Sequence, residues 1–90
     1  MAVAGRMEVY YYPSFLRQIK KLPKSVRESA IKRTKLFIAD PHDPLLDLHK
    51  LSGTLKDYQA FSVDYSFRIL LEIKKNKAYF HTIGNHDIYR

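Results

Sequence analysis

The chain has 90 residues and a formal net charge of +7, with 46% apolar residues and no cysteine. We expect one small globular domain, since the apolar content is too high for a disordered chain. The lack of cysteine excludes a disulfide framework and a thiolate metal site, and no apolar run approaches the ~20 residues of a membrane span. The net charge favours an acidic partner such as nucleic acid or an acidic protein.

The charges are unevenly distributed along the chain. Residues 1–37 hold nine Lys or Arg against two Glu, whereas residues 38–73 hold three basic and six acidic side chains. If the basic ends meet in the fold, they form one positive surface that suits nucleic acid. The alternative is a solvated helix face that keeps the protein soluble.

The chain divides into a short leading segment and one domain. Residues 1–6 (MAVAGR) are too short and too weakly apolar for a signal peptide. They are interpreted as a flexible N-terminus or an expression remnant before a second candidate start at Met7. Residues 7–90 are expected to form a single domain, and a cytoplasmic location is expected.

The first elements are predicted to be a strand and a helix. Residues 7–12 (MEVYYY) are rich in β-branched and aromatic side chains, as in a strand, and Pro13 ends that run. The following run SFLRQIKKL places four apolar side chains on one helical face: Phe15, Leu16, Ile19 and Leu22. Pro23 is expected to end this helix.

A second helix is predicted over the run KSVRESAIKRTKLFIAD. Ser25, with Glu28 three residues later, has the pattern of a capping box. The helix carries an apolar arc, formed by Val26, Ala30, Ile31, Phe37 and Ile38. Two antiparallel helices joined by a short turn are therefore expected.

The second half of the chain predicts a loop and then three strands. Pro41 and Pro44 indicate a loop over residues 40–47, and Gly53 indicates a turn after the segment HKLSG. Strand-like runs follow at residues 58–63, 67–73 and 77–83, joined by short polar links. The order β-α-α-β-β-β predicts an α+β domain in which the helical hairpin packs on an antiparallel sheet, with residues 67–73 as its central strand.

Several short motifs occur in an order that resembles the RelE/ParE toxin superfamily of bacterial toxin–antitoxin systems. They are a first strand, KKLPK between two helices, a DP loop, HKLSG, FRILLEI and a terminal IGNHDIY, and together they cover residues 7–89. The resemblance implies the toxin of a type II system, a ribosome-dependent endonuclease that cleaves mRNA in the A site without metal or cofactor. It also implies a cognate acidic antitoxin as partner, besides the ribosome and mRNA.

Four residues are candidates for the chemistry that this resemblance implies. Arg68 lies in the most apolar strand, where its guanidinium is suited to bind the scissile phosphate. The alternative for Arg68 is an ion pair with a nearby carboxylate: Asp57, Asp64 or Glu72. His86 is a candidate acid or base, and Tyr89 a candidate proton donor or a ring that stacks on a base. His49, directly before the x-L-x-G segment as in YafQ-like members, is a supporting candidate or a loop histidine that caps a turn.

The other titratable residues are weaker candidates. His81 is expected to be a packed residue on the face of the last strand, and His42, between two prolines, a loop residue. Asp64 or Asp87 is a candidate to orient a histidine, and the spacing does not choose between them. No metal site is predicted, because the histidines are scattered and no carboxylate cluster accompanies them.

Basic residues of the two helices are predicted to face rRNA: Lys20, Lys21, Lys24, Lys32 and Lys35. An acidic antitoxin is predicted to cover the groove between the helical hairpin and the sheet. It is expected to disturb the tail NHDIYR and to pair with one of three residues: Arg17, Lys21 or Arg33.

The chain departs from the RelE pattern in one strand. RelE has two lysines at the positions that correspond to Gln59 and Phe61 here, so a lysine-based mechanism is not available at these positions. A histidine-based scheme similar to that of YafQ-like members remains open. The alternatives are a ParE-like toxin that binds DNA gyrase without nuclease activity, and a degenerate relative that binds only an antitoxin.

Overall fold

A computed structural model describes residues 6–85 and shows two helices packed on one face of a five-stranded sheet. The elements in chain order are β1 (Glu8–Tyr11), α1 (Pro13–Lys21), α2 (Lys24–Ala39), β2 (His49–Lys50), β3 (Gln59–Ser62), β4 (Arg68–Lys74) and β5 (Lys77–Gly84). Short 3-10 helices lie at Pro44–Leu46 and Gly53–Leu55. The predicted α+β class is confirmed, and every predicted strand and helix is present.

The sheet is mixed, with strand order β1-β5-β4-β3-β2. The prediction that residues 67–73 form the central strand is confirmed, since β4 is the middle strand. The expectation of a wholly antiparallel sheet was wrong, because β1 pairs with β5 in parallel. A parallel pair needs a long connection, and here the helices and the β3–β5 meander supply it. The sequence reading also missed β2, a strand of two residues at the sheet edge.

Pro13 both ends β1 and begins α1. It occupies the first helical position, where its fixed φ suits the helix and its missing N–H is not needed. Lys20 and Lys21 lie in the last turn of α1, where positive charge complements the helix dipole. Neither α1 nor α2, the two α-helices of the described chain, is long and apolar enough to cross a membrane.

The predicted capping box at the start of α2 was wrong. Pro23 is the N-cap residue, and no side chain caps this end of the helix. The Pro23 carbonyl accepts hydrogen bonds from the backbone N–H groups of Val26 and Arg27, each at 3.0 Å. Ser25 therefore lies inside the first turn, one residue beyond the helix start at Lys24, and its hydroxyl is not in a capping position.

The core lies between the helices and the sheet and centres on three fully buried phenylalanines. Phe37 of α2 stacks on Phe61 of β3 with ring centroids 5.0 Å apart. Phe80 of β5 meets both rings edge-on at 5.7 and 5.6 Å. Aromatic pairs at these separations add roughly 0.5–1.5 kcal/mol each beyond the burial of their surface, so this cluster holds α2 to the middle of the sheet.

Two residues of the predicted apolar faces lie at the surface rather than in the core. Leu16 of α1 is 46% exposed and Ile31 of α2 is 54% exposed. Both line an apolar groove of about 320 Å³ between the two helices. The helical period correctly identified the apolar side of each helix. Leu16 and Ile31, however, lie at the edge of that side, where it borders this groove rather than the core.

Candidate nucleic-acid interface

The sheet has a second face that α1 and α2 do not cover, which we call the open face. Ile69 and Leu71 of β4 belong to the core under the helices. Because side chains alternate along a strand, the open face of β4 carries the residues between and beyond them: Arg68, Leu70 and Glu72. Leu70 is buried yet lies outside that core, so the open face has a small packed centre of its own.

Arg68 is at the beginning of β4, between Ser62 of β3 and Gly84 of β5 in the ladders. Its Nη1 atom donates to the backbone oxygens of Asp64 at 3.1 Å and Phe67 at 3.2 Å. Within residues 6–85, no carboxylate forms an ion pair with it. The guanidinium therefore keeps its charge and further N–H donors for an anion, which favours the phosphate interpretation over a structural ion pair.

The three carboxylates considered as partners of Arg68 act differently. Asp64 uses Oδ1 to accept from the backbone N–H groups of Ser66 at 2.9 Å and Phe67 at 2.8 Å. This closes the β3–β4 turn, so Asp64 is a turn residue rather than a group that orients a histidine. Glu72 pairs with a histidine instead, and Asp57 is exposed in the turn before β3.

A β-bulge interrupts the β4–β5 ladder at the histidine that pairs with Glu72. Leu70 lies opposite Thr82, whereas Leu71 lies opposite Phe80, which leaves His81 as the extra residue of the ladder. Bulges bend a strand locally and re-aim a side chain. The bulge explains why consecutive sequence alternation does not describe the end of β5.

His81 is tied to Glu72 and flanked by two tyrosine rings. Its Nε2 atom lies 2.8 Å from Oε1 of Glu72, and the two side chains are 17% and 20% exposed. The Tyr12 and Tyr58 ring centroids lie 4.0 and 4.9 Å from that of the imidazole. Ser14 at the start of α1 donates to the His81 carbonyl. His81 is therefore a packed strand-face residue, as expected, but its partners form a polar, aromatic cluster.

A second aromatic pair continues the same face toward the edge of the sheet. Tyr79 lies between Glu72 and Tyr10 in the ladders of β4 and β1. The Tyr10 and Tyr79 rings stack 5.3 Å apart with an interplanar angle of 18°. The Tyr10 hydroxyl donates to Glu8 at 3.0 Å, and this hydrogen bond raises the pKa of the Tyr10 phenol. The ring is 45% exposed.

His49 lies on the opposite edge of the sheet, in β2 rather than in a loop. It is exposed and pairs in register with Ala60, which in turn lies opposite Leu70. Its Nδ1 atom is 2.8 Å from the Asp47 carbonyl oxygen. Two inter-strand spacings, about 10 Å in all, separate β2 from β4. His49 and Arg68 therefore share one face of the sheet but are not in contact.

Comparison with solved structures identifies this architecture. YafQ from E. coli strain BL21(DE3) superposes with a TM-score of 0.76 over 93% of this chain and 98% of its own, at 16% sequence identity. The toxin–antitoxin complex RelBE2 from Mycobacterium tuberculosis gives a TM-score of 0.77 over 90% of this chain and 99% of that chain, at 13% identity. YoeB from Staphylococcus aureus, solved as a dimer, gives 0.72 over 90% and 98%, at 14% identity.

The chain has the fold of the RelE-like toxins. This likeness rests on structure, since no protein-family model matches the sequence. No curated protein matches it by sequence either.

The RelE-like fold separates the basic helix residues from the open face. The five lysines predicted to face rRNA are all exposed: Lys20, Lys21, Lys24, Lys32 and Lys35. They lie on α1 and α2, on the other side of the sheet from Arg68. A nucleic acid that contacts both sets has to pass around the edge of the domain.

The predicted antitoxin-binding arginines occupy different environments. Arg17 is exposed on α1, as is Lys21. Arg33 of α2 instead donates through Nη1 to the backbone oxygens of Leu45 and Ser62. These bonds attach α2 to the loop before β2 and to β3, so Arg33 has a structural role whether or not a partner also contacts it.

Gln59 and Phe61, where RelE has lysines, lie on the helix side of β3. Phe61 is fully buried in the phenylalanine core. Gln59 borders a groove at the end of α2 together with Lys50 and Lys75. A lysine at position 61 would enter the core rather than reach Arg68, because the two positions face opposite sides of the sheet.

The remaining predicted site residues are not among the side chains described on the open face. His86, Asp87 and Tyr89 lie outside the described residues. His42 is exposed in the loop after α2, as expected. Within residues 6–85, no three His, Asp or Glu side chains converge as a metal site would require. Sequence analysis did not select Tyr12 and Tyr58, whose contact with His81 depends on the strand order of the sheet.

Proposed function

We propose that this protein is the toxin of a type II toxin–antitoxin system and a ribosome-dependent endonuclease that cleaves mRNA in the A site. The observation that carries the proposal is the position of Arg68. Its guanidinium lies on the open face, without a carboxylate partner in the described chain, directly opposite the last residue of β5. The solved structures with this fold include YafQ in the DinJ–YafQ toxin–antitoxin complex and the toxin–antitoxin complex RelBE2.

The chain passes Arg68 immediately before it reaches His86. Gly84 is the cross-strand neighbour of Arg68, and two residues of chain span at most about 7 Å. A phosphate held by Arg68 is therefore within reach of groups that the next residues supply. By resemblance to the family, we assign the role of acid or base to His86 and that of proton donor or stacking ring to Tyr89. His49 would assist these two residues.

The chemistry requires no metal. A base removes the proton of the 2′-hydroxyl, which attacks the adjacent phosphate, and an acid protonates the leaving 5′-oxygen. Each such proton transfer accelerates a reaction by roughly 10²–10⁴-fold. A positioned cation such as Arg68 stabilises the charge that develops on the phosphate. The products are a 2′,3′-cyclic or 3′-phosphate and a 5′-hydroxyl.

The same proposal assigns an acidic antitoxin as the partner that silences the toxin. YafQ, which has this fold, was solved with DinJ in the DinJ–YafQ toxin–antitoxin complex. The net charge of +7 favours an acidic chain. The groove between α1 and α2 offers an apolar contact area, lined by Leu16, Ile19 and Ile31 with Tyr11 of β1. We propose that an amphipathic antitoxin segment lies there, close to the exposed Arg17 and Lys21.

The decisive experiment is expression from a tight promoter with mapping of mRNA 5′ ends. Wild type is compared with Arg68→Ala and His86→Ala, and with Tyr65→Ala as a matched surface control, since Tyr65 is 95% exposed. We expect growth arrest and codon-phased cuts for wild type and the control, and neither for the other two variants. Growth arrest of wild type without such cuts would exclude the nuclease.

One observation favours a rival function. β3 has the sequence QAFS and contributes no lysine to either face of the sheet, and a ParE-like toxin that binds DNA gyrase does not need one. A supercoiling assay with purified protein separates the two: no effect on gyrase at micromolar protein removes the rival. A chain that neither arrests growth without its antitoxin nor affects gyrase would be a degenerate relative that only binds an antitoxin.

A further inference from the structure

The open face carries a cluster that the proposed cleavage chemistry does not use. It consists of His81, Glu72, Tyr12 and Tyr58, which we call the aromatic seat. The imidazole is flanked by the tilted Tyr12 ring at 4.0 Å and the edge-on Tyr58 ring at 4.9 Å, and Glu72 binds it at 2.8 Å. Tyr12 is 40% exposed, so its ring presents surface to an incoming group.

Tyr12 and Glu72 both contact His81, so the cluster combines an exposed aromatic ring with a carboxylate, and these two groups match the two requirements of a nucleobase. Bases of single-stranded RNA stack on Tyr and His side chains and are identified through hydrogen bonds at their edges. Such stacking tolerates any base, because every base has a π-face. A carboxylate accepts hydrogen bonds only, so Glu72 favours a base whose edge donates through an exocyclic amino group.

The seat lies on the same face as the proposed phosphate-binding group. Glu72 and Arg68 are four residues apart on β4, about 13 Å along the strand, and both side chains face away from the helices. A single strand that places a phosphate at Arg68 can therefore extend across the face and place a neighbouring base at Tyr12. The net charge of +7 favours the binding of a polyanion such as RNA over the binding of a peptide with few acidic residues.

We propose that the aromatic seat binds one nucleobase of single-stranded RNA, by stacking on Tyr12 and by hydrogen bonding to Glu72. The seat prefers bases with an exocyclic amino group over uracil, whose single edge donor, N3–H, is flanked by two carbonyl oxygens that the carboxylate repels. His81 is a positioning residue that orients Glu72 and supports the stack. The inference deepens the proposed function, since it names how the substrate strand is held on this face.

The test uses binding without ribosomes or cleavage. Purified full-length protein is titrated into fluorescently labelled 2′-O-methyl RNA pentamers, which the 2′-hydroxyl chemistry cannot cut, and anisotropy is recorded. We expect Tyr12→Ala to weaken binding about tenfold or more, the loss typical of one stacked base, while Tyr12→Phe keeps wild-type affinity. Tyr65→Ala is the matched control and is expected to bind as wild type, because Tyr65 is exposed in the β3–β4 turn.

Base preference tests the role of the carboxylate. Pentamers UUCUU and UUAUU are compared with UUUUU, and wild type is expected to bind the first two more tightly. Glu72→Gln is expected to remove this difference while retaining stacking, since an amide both donates and accepts.

Ring-proton shifts of His81 in wild-type protein on adding UUCUU give a readout that needs no folded variant. The proposal that the aromatic seat binds a nucleobase would be overturned if wild type and a folded Tyr12→Ala variant had equal affinity for RNA. It would also be overturned if the His81 ring protons did not shift at saturating RNA. Either result leaves mRNA cleavage in cells untouched, because that is measured separately with Arg68 and His86 variants.

Discussion

Arg68 and Gly84 lie directly opposite each other at the end of the β4–β5 ladder, on the face of the sheet that the helices leave uncovered. The guanidinium bonds only to backbone oxygens of Asp64 and Phe67 within the described chain. Gly84 brings no side chain to this end of the ladder. This pairing places the best candidate for phosphate binding at the base of the C-terminal segment.

Arg68→Ala is expected to reduce mRNA cleavage by roughly 10²–10³-fold, the effect of removing one donor aimed at developing negative charge. Stability should change by only about 1 kcal/mol, because the bonds that are lost are two to carbonyl oxygens at the sheet end. Arg68→Lys should restore part of the activity, since it keeps the charge but loses the forked geometry. Primer extension on a reporter mRNA measures the first effect and urea unfolding the second. Full activity of the alanine variant would contradict the phosphate role.

Ile31→Asp is expected to weaken antitoxin binding by at least tenfold without unfolding the protein. Ile31 is 54% exposed and lines the groove between the helices, so a carboxylate there remains solvated in the free protein but is desolvated under a partner. Leu45→Asp is the matched control, because Leu45 is 63% exposed and lies outside that groove. Isothermal titration with the antitoxin measures both. Equal losses in the two variants would show that charge, rather than the groove, governs binding.

Phe61→Ala is expected to destabilise the domain by about 3–5 kcal/mol, as for other buried aromatic truncations. The side chain is fully buried and stacks on Phe37 at 5.0 Å. Because small domains have only ~5–15 kcal/mol of stability in total, the variant should lose a large part of its urea resistance. Tyr65→Ala, 95% exposed, should stay within about 0.5 kcal/mol of wild type. A similar small change for Phe61→Ala would place residue 61 outside the core.

Arg33→Ala is expected to lower the free energy of unfolding by roughly 1–3 kcal/mol, since the Leu45 and Ser62 carbonyls each lose a charged donor. Arg17→Ala, on the exposed side of α1, should leave stability unchanged and weaken only the binding of an acidic partner. Thermal unfolding and partner titration on both variants distinguish a structural arginine from a binding one. Unchanged stability of Arg33→Ala would assign Arg33 to the interface instead.

Local patterns predicted most of the fold because each reports a single element. The alternation in residues 58–63 and 77–83 and the apolar run at 67–73 correspond to β3, β5 and β4. Gly53 was predicted to mark a turn, and it has φ +65°, a backbone conformation that L side chains rarely adopt. The capping-box prediction at Ser25 failed because a prolyl residue two positions earlier had already started the helix.

The chemistry of the open face depends on pairings that no local pattern contains. Glu72 was considered as a partner of Arg68, four residues away, but it binds His81 across the β4–β5 ladder. The bulge that leaves His81 unpaired in that ladder comes from one additional residue in β5. Tyr12 reaches this histidine only because β1 pairs with β5 in parallel.

The sequence by itself determined the element types, the α+β class, the central position of β4 and the presence of an arginine in its apolar strand. These follow from periods of 2 and 3.6 residues and from prolines, which act over a few residues. Tertiary structure decided the parallel addition of β1, the edge strand β2 and the meeting of Tyr12, Tyr58, Glu72 and His81. Strand order and register are set by which apolar faces can be buried together, a condition that the whole chain satisfies at once and that no short segment can encode.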